Sequence, residues 1–276
     1  MVKKKNPTTA VILYVITIAV LIVSLFPFIY MLLQSLAPGS EVDKGLIPSH
    51  FTLENYQYLL TNGGSSANPM MWLKALANSV IVALPTAIIS VAVGLSVGYV
   101  VTKLKFSGKK IIHNSLLFQM FFPVIILLVP RYMLMKNLAN SYAGMILPLC
   151  ISTWAIFMYI NYFRTLPNEI FEAARIDGVG DFGMLYHIAL PITKSISTIV
   201  FLSTFMTRWN ELMWDMLISP KVEMQTLNVL ISTQFRPMGN FPGPMYAASV
   251  LLTIPIILLF LAFSKYFKEG ISFMLK

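Results

Sequence analysis

The sequence predicts an all-α, polytopic membrane protein with six transmembrane helices. Of its 276 residues, 57% are hydrophobic and only 11% are charged, whereas about a quarter of the residues of a soluble domain are charged. Several segments also reach the roughly 20 apolar residues that a membrane-spanning helix needs. Lys and Arg are concentrated in alternate connections between these segments. The net charge of +9 therefore indicates membrane topology rather than nucleic-acid binding.

The first predicted span covers residues 11–33, which carry no charge. A lysine-rich start at residues 3–5 precedes it, so a cleaved signal peptide is the alternative. The apolar part of a signal peptide has roughly 7–15 residues and ends at small residues. This run is longer and has Pro27, flanked by two phenylalanines, where cleavage would be expected. We therefore expect a retained transmembrane helix.

Five further spans are predicted along the chain. They cover residues 75–101, 111–134, 142–163, 196–218 and 245–264. Internal prolines are compatible with these spans, because neighbouring helices can satisfy the backbone groups that a proline frees. Gly94 and Gly98, with Ser90 four residues earlier, have the spacing typical of a close helix crossing. The second span should therefore approach another helix closely.

The distribution of positive charge predicts the orientation. If the N-terminus is cytoplasmic, most of the 20 Lys and Arg residues fall on the inner side, as the positive-inside rule requires. Both termini are then cytoplasmic. Residues 37–72 and 219–244 form long outer connections, and residues 165–195 form a long cytoplasmic loop.

The cytoplasmic loop should contain one short helix. Pro167 suits the first helical turn, and Glu169 and Glu172 suit the positive end of the helix dipole. Gly178 suits the left-handed residue that often follows a helix. The sequence therefore places a helix of about ten residues here, too short to be stable alone in water.

Such a helix must pack against something. Ile170, Phe171 and Ala174 are expected to form an apolar patch, with Glu172 and Arg175 as polar neighbours. From the residues alone, two interpretations remain open. The helix lies on the bilayer surface, or it docks on another protein.

The spacing of Glu172-Ala-Ala, Gly178 and Ile188-Ala-Leu-Pro191 resembles the EAA loop of ABC-importer permeases. The matching positions are Glu172, Ala173, Ala174, Asp177, Gly178, Ile188, Leu190 and Pro191. In that family the loop docks in a cleft of an ATPase subunit. The resemblance therefore implies that these residues couple transport to ATP hydrolysis.

Other segments resemble the six-span, maltose-type carbohydrate branch of the same family. They are residues 52–56, 78–83, 103–108 and 208–214, so that nearly the whole chain is covered. The resemblance implies the type I ABC importer permease fold. It divides the chain into an N-terminal helix and external loop (1–71), a core permease domain (72–267) and a cytoplasmic tail (268–276). The tail ends in bulkier residues than is typical of the family.

The resemblance also implies partners. They are an ABC ATPase dimer, which would bind ATP and Mg, a second homologous permease subunit and an extracytoplasmic solute-binding protein, assembled in the lipid bilayer of the bacterial inner (cytoplasmic) membrane. The chain itself contains no G-x-x-x-x-G-K-[ST] motif. We therefore expect no cofactor in this chain, and no nucleic-acid partner.

An enzymatic role is not expected. The sequence lacks the G-x-S-x-G and H-E-x-x-H motifs, so we assign no catalytic residue. Its three histidines do not have metal-ligand spacing, so we assign no metal site. ATP hydrolysis is expected in a separate subunit.

Charged residues in the fifth span suggest a substrate pathway. Glu211 and Asp215 should share a helix face, and Arg208 should pair with Glu211. Charges within spans usually face the bundle interior, so Trp209, Asn210 and Glu211 are the candidate pathway residues. Alternatively, the span ends before Arg208, and these residues lie at the outer interface.

The combined interpretation is the permease subunit of an ATP-driven importer for a sugar or oligosaccharide. The chain would form half of a translocation pathway that works by alternating access. Two alternatives stay open. The cargo is a polyol, a glycerophosphodiester or a polyamine, or the chain is a self-contained secondary transporter or channel.

Overall fold

A computed structural model describes residues 7–61, 71–235 and 242–274. Within these ranges the secondary structure is helical and contains no β-strand, which confirms the all-α class. The lysines at positions 3–5 and residues 236–241 of the predicted outer connection lie outside the described residues. The same holds for the side chains of the predicted C-terminal tail.

Fourteen α-helices follow one another in the described residues. They are α1 (Pro7–Ser35), α2 (Glu54–Thr61), α3 (Met71–Lys103), α4 (Lys109–Met120), α5 (Leu128–Met135), α6 (Tyr142–Ile146), α7 (Thr153–Thr165), α8 (Glu169–Ile176), α9 (Asp181–Gly183), α10 (Leu190–Ile192), α11 (Lys194–Trp209), α12 (Met213–Ile218), α13 (Leu227–Leu230) and α14 (Pro242–Met274). Short 3-10 helices cover Val124–Leu127, Lys136–Leu138, Leu147–Leu149 and Val222–Met224, and π-helical turns cover Met184–Ala189 and Ile231–Phe235.

Four helical segments are long and apolar enough to cross a membrane. They are Ala10–Ser35, Met71–Lys103, Tyr142–Thr165 and Pro242–Ser264. Two bent helix pairs, Lys109–Met120 with Val124–Leu138 and Asp181–Ile192 with Lys194–Trp209, pass the same test together. The described residues thus contain four spans, or up to six if each bent pair is one span.

Three of the predicted spans are not continuous helices. The fourth is interrupted at residues 150–152, between the 3-10 helix that ends at Leu149 and the start of α7. The third bends by 99° between Met120 and Val124, because Pro123 is extended and a proline disfavours the helical conformation of the residue before it. The fifth was predicted to run to residue 218, which is wrong. Helix α11 ends at Trp209, and α12 starts at Met213.

The chain forms two compact units. The first unit comprises residues 1–72 and 231–254, and the second comprises residues 73–230 and 255–276. This division follows packing. The division by function into residues 1–71, 72–267 and 268–276 stays a prediction.

In the first unit, polar side chains order the connection that follows α1. Asn55 donates two hydrogen bonds, to the carbonyl oxygens of Ser35 at 3.0 Å and Ala37 at 2.8 Å. The Asp43 carboxylate accepts hydrogen bonds from the hydroxyls of Tyr30 at 2.8 Å and Tyr246 at 2.7 Å. These contacts fix the segment between α1 and α2 within this unit.

The Glu41 carboxylate forms hydrogen bonds across the exposed part of this connection. Glu41 accepts hydrogen bonds from the backbone amide of Ser49 at 2.8 Å and from its hydroxyl at 2.6 Å. The Ser49 hydroxyl, followed by the Ser49 amide, holds the pKa of Glu41 below its usual value, because both bonds favour the ionised carboxylate.

In the second unit, α3 and α7 cross very closely. A Cβ atom on Gly98 would lie 2.5 Å from the Cβ atom of Tyr159, and one on Gly94 would lie 2.9 Å from its ring. Ser90 donates a hydrogen bond to the carbonyl oxygen of Cys150 at 2.8 Å. The predicted close crossing is therefore confirmed. Cys150 is buried and forms no disulfide. Its thiol donates a hydrogen bond to the carbonyl oxygen of Leu147.

Candidate functional site

The helix of the predicted cytoplasmic loop forms as α8 and ends in a Schellman cap. Gly178 has a φ of 82°. Its amide donates to the carbonyl oxygen of Arg175 at 3.0 Å, and the amide of Val179 donates to that of Ala174 at 3.0 Å. These are the two bonds of the motif. The predicted left-handed cap at Gly178 is confirmed.

One face of α8 packs on its own unit. Phe171 and Ala174 are 5% and 7% exposed and belong to a cluster with Tyr99, Tyr159 and Phe163. The Phe171 ring centroid lies 6.0 Å from that of Tyr99 and 6.3 Å from that of Phe163. Phe171 and Ala174 therefore form an apolar face that packs, and its packing partner is the second unit of this chain itself.

Lys103 joins the end of α3 to the start of α8. Its Nζ donates to the carbonyl oxygen of Leu166 at 2.9 Å and to Oδ1 of Asn168 at 2.8 Å. It also lies 4.8 Å from the ring centroid of Phe171, which adds a cation–π attraction. Lys103 therefore links α3 to α8 and to the residues just before it through direct contacts.

The opposite face of α8 and the turn after it are not covered by any other described part of the chain. We define this outward face by Ile170, Glu172, Ala173, Ile176 and Phe182, all of them exposed. Ile176 is 87% and Phe182 is 88% exposed. Clusters of large exposed apolar side chains rimmed by polar ones are typical of interaction sites.

The eight motif positions divide by exposure. Ala174 is buried and Ile188 is half-buried against the same cluster. The other six are exposed: Glu172, Ala173, Asp177, Gly178, Leu190 and Pro191. The motif therefore contains residues that anchor the loop and residues that are free to meet a partner.

A second candidate site is a cavity of about 640 Å³ in the second unit. Its lining combines polar side chains with aromatic rings. The polar ones include Gln119, Arg131, Ser152, Thr207 and Glu211, and the aromatic ones are Phe122 and Trp154. Such a mixture can hydrogen-bond a polar ligand and pack against its apolar faces.

Of the three predicted pathway residues, Glu211 alone lines this cavity. Trp209 is 1% exposed, and its ring stacks on Phe205 with centroids 5.5 Å apart. Asn210 is exposed and donates to the carbonyl oxygen of Met206 at 2.9 Å. The structure thus brings Glu211 to the cavity and leaves Trp209 and Asn210 away from it.

Arg208 pairs with Asp215, so the expected pair with Glu211 is wrong. The guanidinium donates to the two carboxylate oxygens at 2.8 Å and 2.6 Å, and the side chains are 2% and 0% exposed. Thr226 donates to the same carboxylate at 3.3 Å. Because the chain leaves the helix after Trp209, Asp215 lies on α12 and not one turn beyond Glu211.

Sequence reasoning also missed a polar link between α3 and the segment before α13. Asn78 donates to the carbonyl oxygens of Glu223 and Gln225, each at 3.0 Å, and accepts from the Tyr142 hydroxyl at 2.7 Å. Ser79 accepts from the Leu227 amide at 2.8 Å. An Asn-Ser pair in an apolar run was the available signal.

Comparisons with known proteins agree with this architecture. Residues 90–273 match the family described as "Binding-protein-dependent transport system inner membrane component". The chain is 31% identical to the arabinooligosaccharides transport system permease protein AraQ of Bacillus subtilis, over 90% of this chain and 89% of that protein. It is 28% identical to the inner membrane ABC transporter permease protein YcjP of Escherichia coli, over 91% of each chain.

A further relative is the sn-glycerol-3-phosphate transport system permease protein UgpE of Brucella abortus. It is 25% identical over 97% of this chain and 98% of that protein. Among solved structures, the chain is similar to one in a bacterial ABC transporter involved in the import of the acidic polysaccharide alginate. The TM-score is 0.81 at 21% identity, over 97% of this chain and 99% of that chain.

The structural match confirms the predicted ABC-importer permease fold. The family match covers most of the chain, and it includes α8, the Schellman cap and all the residues that line the larger cavity except Thr86. The protein is therefore a multi-pass inner membrane transport permease that belongs to the family of inner membrane components of binding-protein-dependent transport systems.

Proposed function

We propose that this chain is the permease subunit of an ABC importer that takes up a sugar or oligosaccharide. The observation that carries the proposal is the outward face of α8. Its opposite face is packed on the second unit through Phe171 and Ala174, while Ile176 and Phe182 are almost fully exposed. A helix anchored in this way has one face for its own bundle and one face for a separate protein.

That separate protein is an ATPase dimer that binds ATP and Mg, since this chain contains no P-loop motif. Glu172, Ala173, Asp177 and Gly178 are exposed on the loop, and they form its contact with the ATPase. Ala174 and Ile188 hold the loop in place, and Leu190 and Pro191 lead back to α11. Movement of the ATPase reaches the transmembrane helices through Lys103 and the cluster around Phe171.

The cargo follows from the cavity lining. Arg131 and Glu211 bring one charge of each sign, and the charge of Arg208 is matched by Asp215. A lining without excess charge favours a neutral, hydroxyl-rich cargo over a glycerophosphodiester or a polyamine. The arabinooligosaccharide permease among the relatives supports the same assignment, whereas the glycerol-3-phosphate permeases keep a phosphorylated cargo as the second candidate.

The remaining parts of the assembly come from the same reasoning. A second, homologous permease subunit supplies the other half of the pathway, and a solute-binding protein delivers the cargo from outside. Both termini are cytoplasmic, because that orientation keeps most Lys and Arg residues on the inner side. The loop around α8 then faces the ATPase.

The test is cargo-stimulated ATP hydrolysis by the reconstituted complex, with the variants Ala173→Arg and Ile176→Glu. Both positions are exposed, so these changes alter the outward face without entering the core. We expect stimulation to fall at least about tenfold, which corresponds to roughly 1.4 kcal/mol of lost coupling. Ser107→Arg, on an exposed position of another loop, is the matched control.

Gel filtration of each complex separates two ways of losing activity. Loss of the ATPase from the complex would mean that the outward face is the docking surface itself. An intact complex without stimulation would mean that the face transmits movement. Normal stimulation and assembly in both variants would overturn the proposed coupling role.

A further inference from the structure

A second, strongly basic cavity lies where α3 ends and α4 begins. Its volume is about 630 Å³, and its lining includes Lys109, Lys110, His113 and Arg164. No acidic residue occurs among the described residues that line it. The cavity belongs entirely to the second unit. A site with this charge attracts an anion.

Hydrogen bonds order part of the wall and leave donors available. Lys109 donates to the carbonyl oxygens of Thr102 at 2.9 Å and Leu104 at 3.3 Å, which fixes its position at the end of α3. Arg164 lies 3.0 Å from Nε2 of His113. Because a guanidinium has donors only, this nitrogen accepts, and the ring proton is assigned to Nδ1. Nδ1 is buried without a hydrogen-bond partner.

Apolar side chains stand beside these cations. Phe106 and Ile111 also line the cavity, and Ile111 is 71% exposed. The cavity begins directly after the candidate span Met71–Lys103. Basic side chains beside exposed apolar ones, at the end of a membrane-spanning helix, lie at the depth of the lipid headgroups.

We propose that this cavity binds the phosphate group of an anionic phospholipid, for which phosphatidylglycerol is the probe. Lys110 and Arg164, both exposed, contact the headgroup. Ile111 and Phe106 lie against the upper part of the acyl chains. A zwitterionic lipid carries an ammonium group that the same cations repel, so the site discriminates by headgroup charge. This inference does not depend on the cargo or on the ATPase.

The experiment is native mass spectrometry of the full chain in mild detergent, titrated with phosphatidylglycerol and, separately, with phosphatidylcholine. We expect the wild-type chain to retain phosphatidylglycerol more tightly. The double variant Lys110→Gln/Arg164→Gln should bind phosphatidylglycerol about thirtyfold more weakly. The reason is that each cation removed should lower the affinity about fivefold, and the two losses multiply. Lys105→Gln removes an exposed lysine that does not line the cavity and should leave the affinity unchanged.

Three results would overturn the proposal. The first is equal retention of the two lipids by the wild-type chain. The second is an equal loss of affinity in Lys105→Gln and in the double variant. The third is displacement of phosphatidylglycerol by millimolar inorganic phosphate, which would identify a site for free phosphate. If the double variant misfolds, the single variant Lys110→Gln provides the test. Its affinity for phosphatidylglycerol should fall about fivefold.

Discussion

The two ends of the second unit are stabilised in different ways. Around α8, aromatic and aliphatic side chains provide most of the packing, and one helix face stays uncovered. Around α12, buried polar groups satisfy one another, as Arg208 does with Asp215 and as Asn78 does with two backbone carbonyls. The first end can accept a partner, whereas the second is closed by its own hydrogen bonds.

This difference has a mechanical meaning. Apolar contacts are non-directional and tolerate small sliding movements, whereas a buried bidentate ion pair is lost when its geometry is lost. We therefore expect the α8 end to move as the transporter works and the α12 end to hold its arrangement. Substitutions at the two ends test the contrast, and a pH change in a loop of the first unit provides a smaller effect for reference.

The largest effect is expected at the closed end. Asp215→Ala leaves the Arg208 guanidinium buried without its partner, which should lower the free energy of unfolding by about 3–5 kcal/mol. Thermal unfolding in detergent measures it. Glu223→Ala is the control, because this carboxylate is exposed and its removal should cost less than about 1 kcal/mol. Equal melting temperatures for the two variants would contradict the assigned role of the pair.

A double variant separates the ion pair from the packing around it. Arg208→Met/Asp215→Leu removes both charges, and replacing a whole buried pair by apolar side chains is often neutral or stabilising. We expect it to recover most of the stability that Asp215→Ala loses. A double variant as unstable as the single one would show that packing, and not the unpaired charge, causes the loss.

A smaller effect is expected at the α8 end. Gly178→Ala meets no heavy atom within 4 Å, so its cost comes only from the positive φ and should be about 1–2 kcal/mol. The measurement is hydrogen exchange of the Gly178 and Val179 amides, which form the cap. Gly180→Ala is a matched control, because Gly180 also has open space and a φ of −73°. Unchanged exchange of these amides in Gly178→Ala would show that the positive φ at position 178 does not require glycine.

The smallest effect is expected at Glu41, where the polar contact with Ser49 is exposed to solvent. Ser49 lowers the pKa of Glu41 in the folded chain. The hydrogen bond therefore stabilises the loop fully at pH values above 4.5, the usual pKa of this side chain. It is lost as the pH falls through the lowered pKa. Protection of the Ser49 amide against hydrogen exchange should fall in that range. The variant Glu41→Gln, whose side chain does not ionise, should show little of this pH dependence.

The sequence predicts the long apolar helices and the helix of the cytoplasmic loop well, because both follow from local rules. Composition and length place the apolar helices, Gly98 marks the close crossing, and Gly178 marks the end of α8. Burial within the loop was harder to predict. Ile170, Phe171 and Ile176 are all apolar, and periodicity alone does not say which of them faces the protein and which faces a partner.

The partners of the buried charges could not be predicted for a different reason. Pairing Arg208 with Glu211 assumes a continuous helix, and the break after Trp209 removes that assumption. The true partner, Asp215, approaches through tertiary structure that helical spacing does not encode. The cavity beside Glu211 is likewise formed by residues from several separate helices, so no single segment of sequence indicates it.

The close packing around Cys150 has a practical consequence for spectroscopy and labelling. This side chain is 7% exposed, and it is the one cysteine of the sequence. A membrane-impermeant maleimide has no access to a thiol buried in this way. The natural chain can therefore serve as its own unreactive background. Single cysteines introduced at exposed positions such as Phe51 or Ile176 would then report the side of the membrane on which each position lies in sealed vesicles.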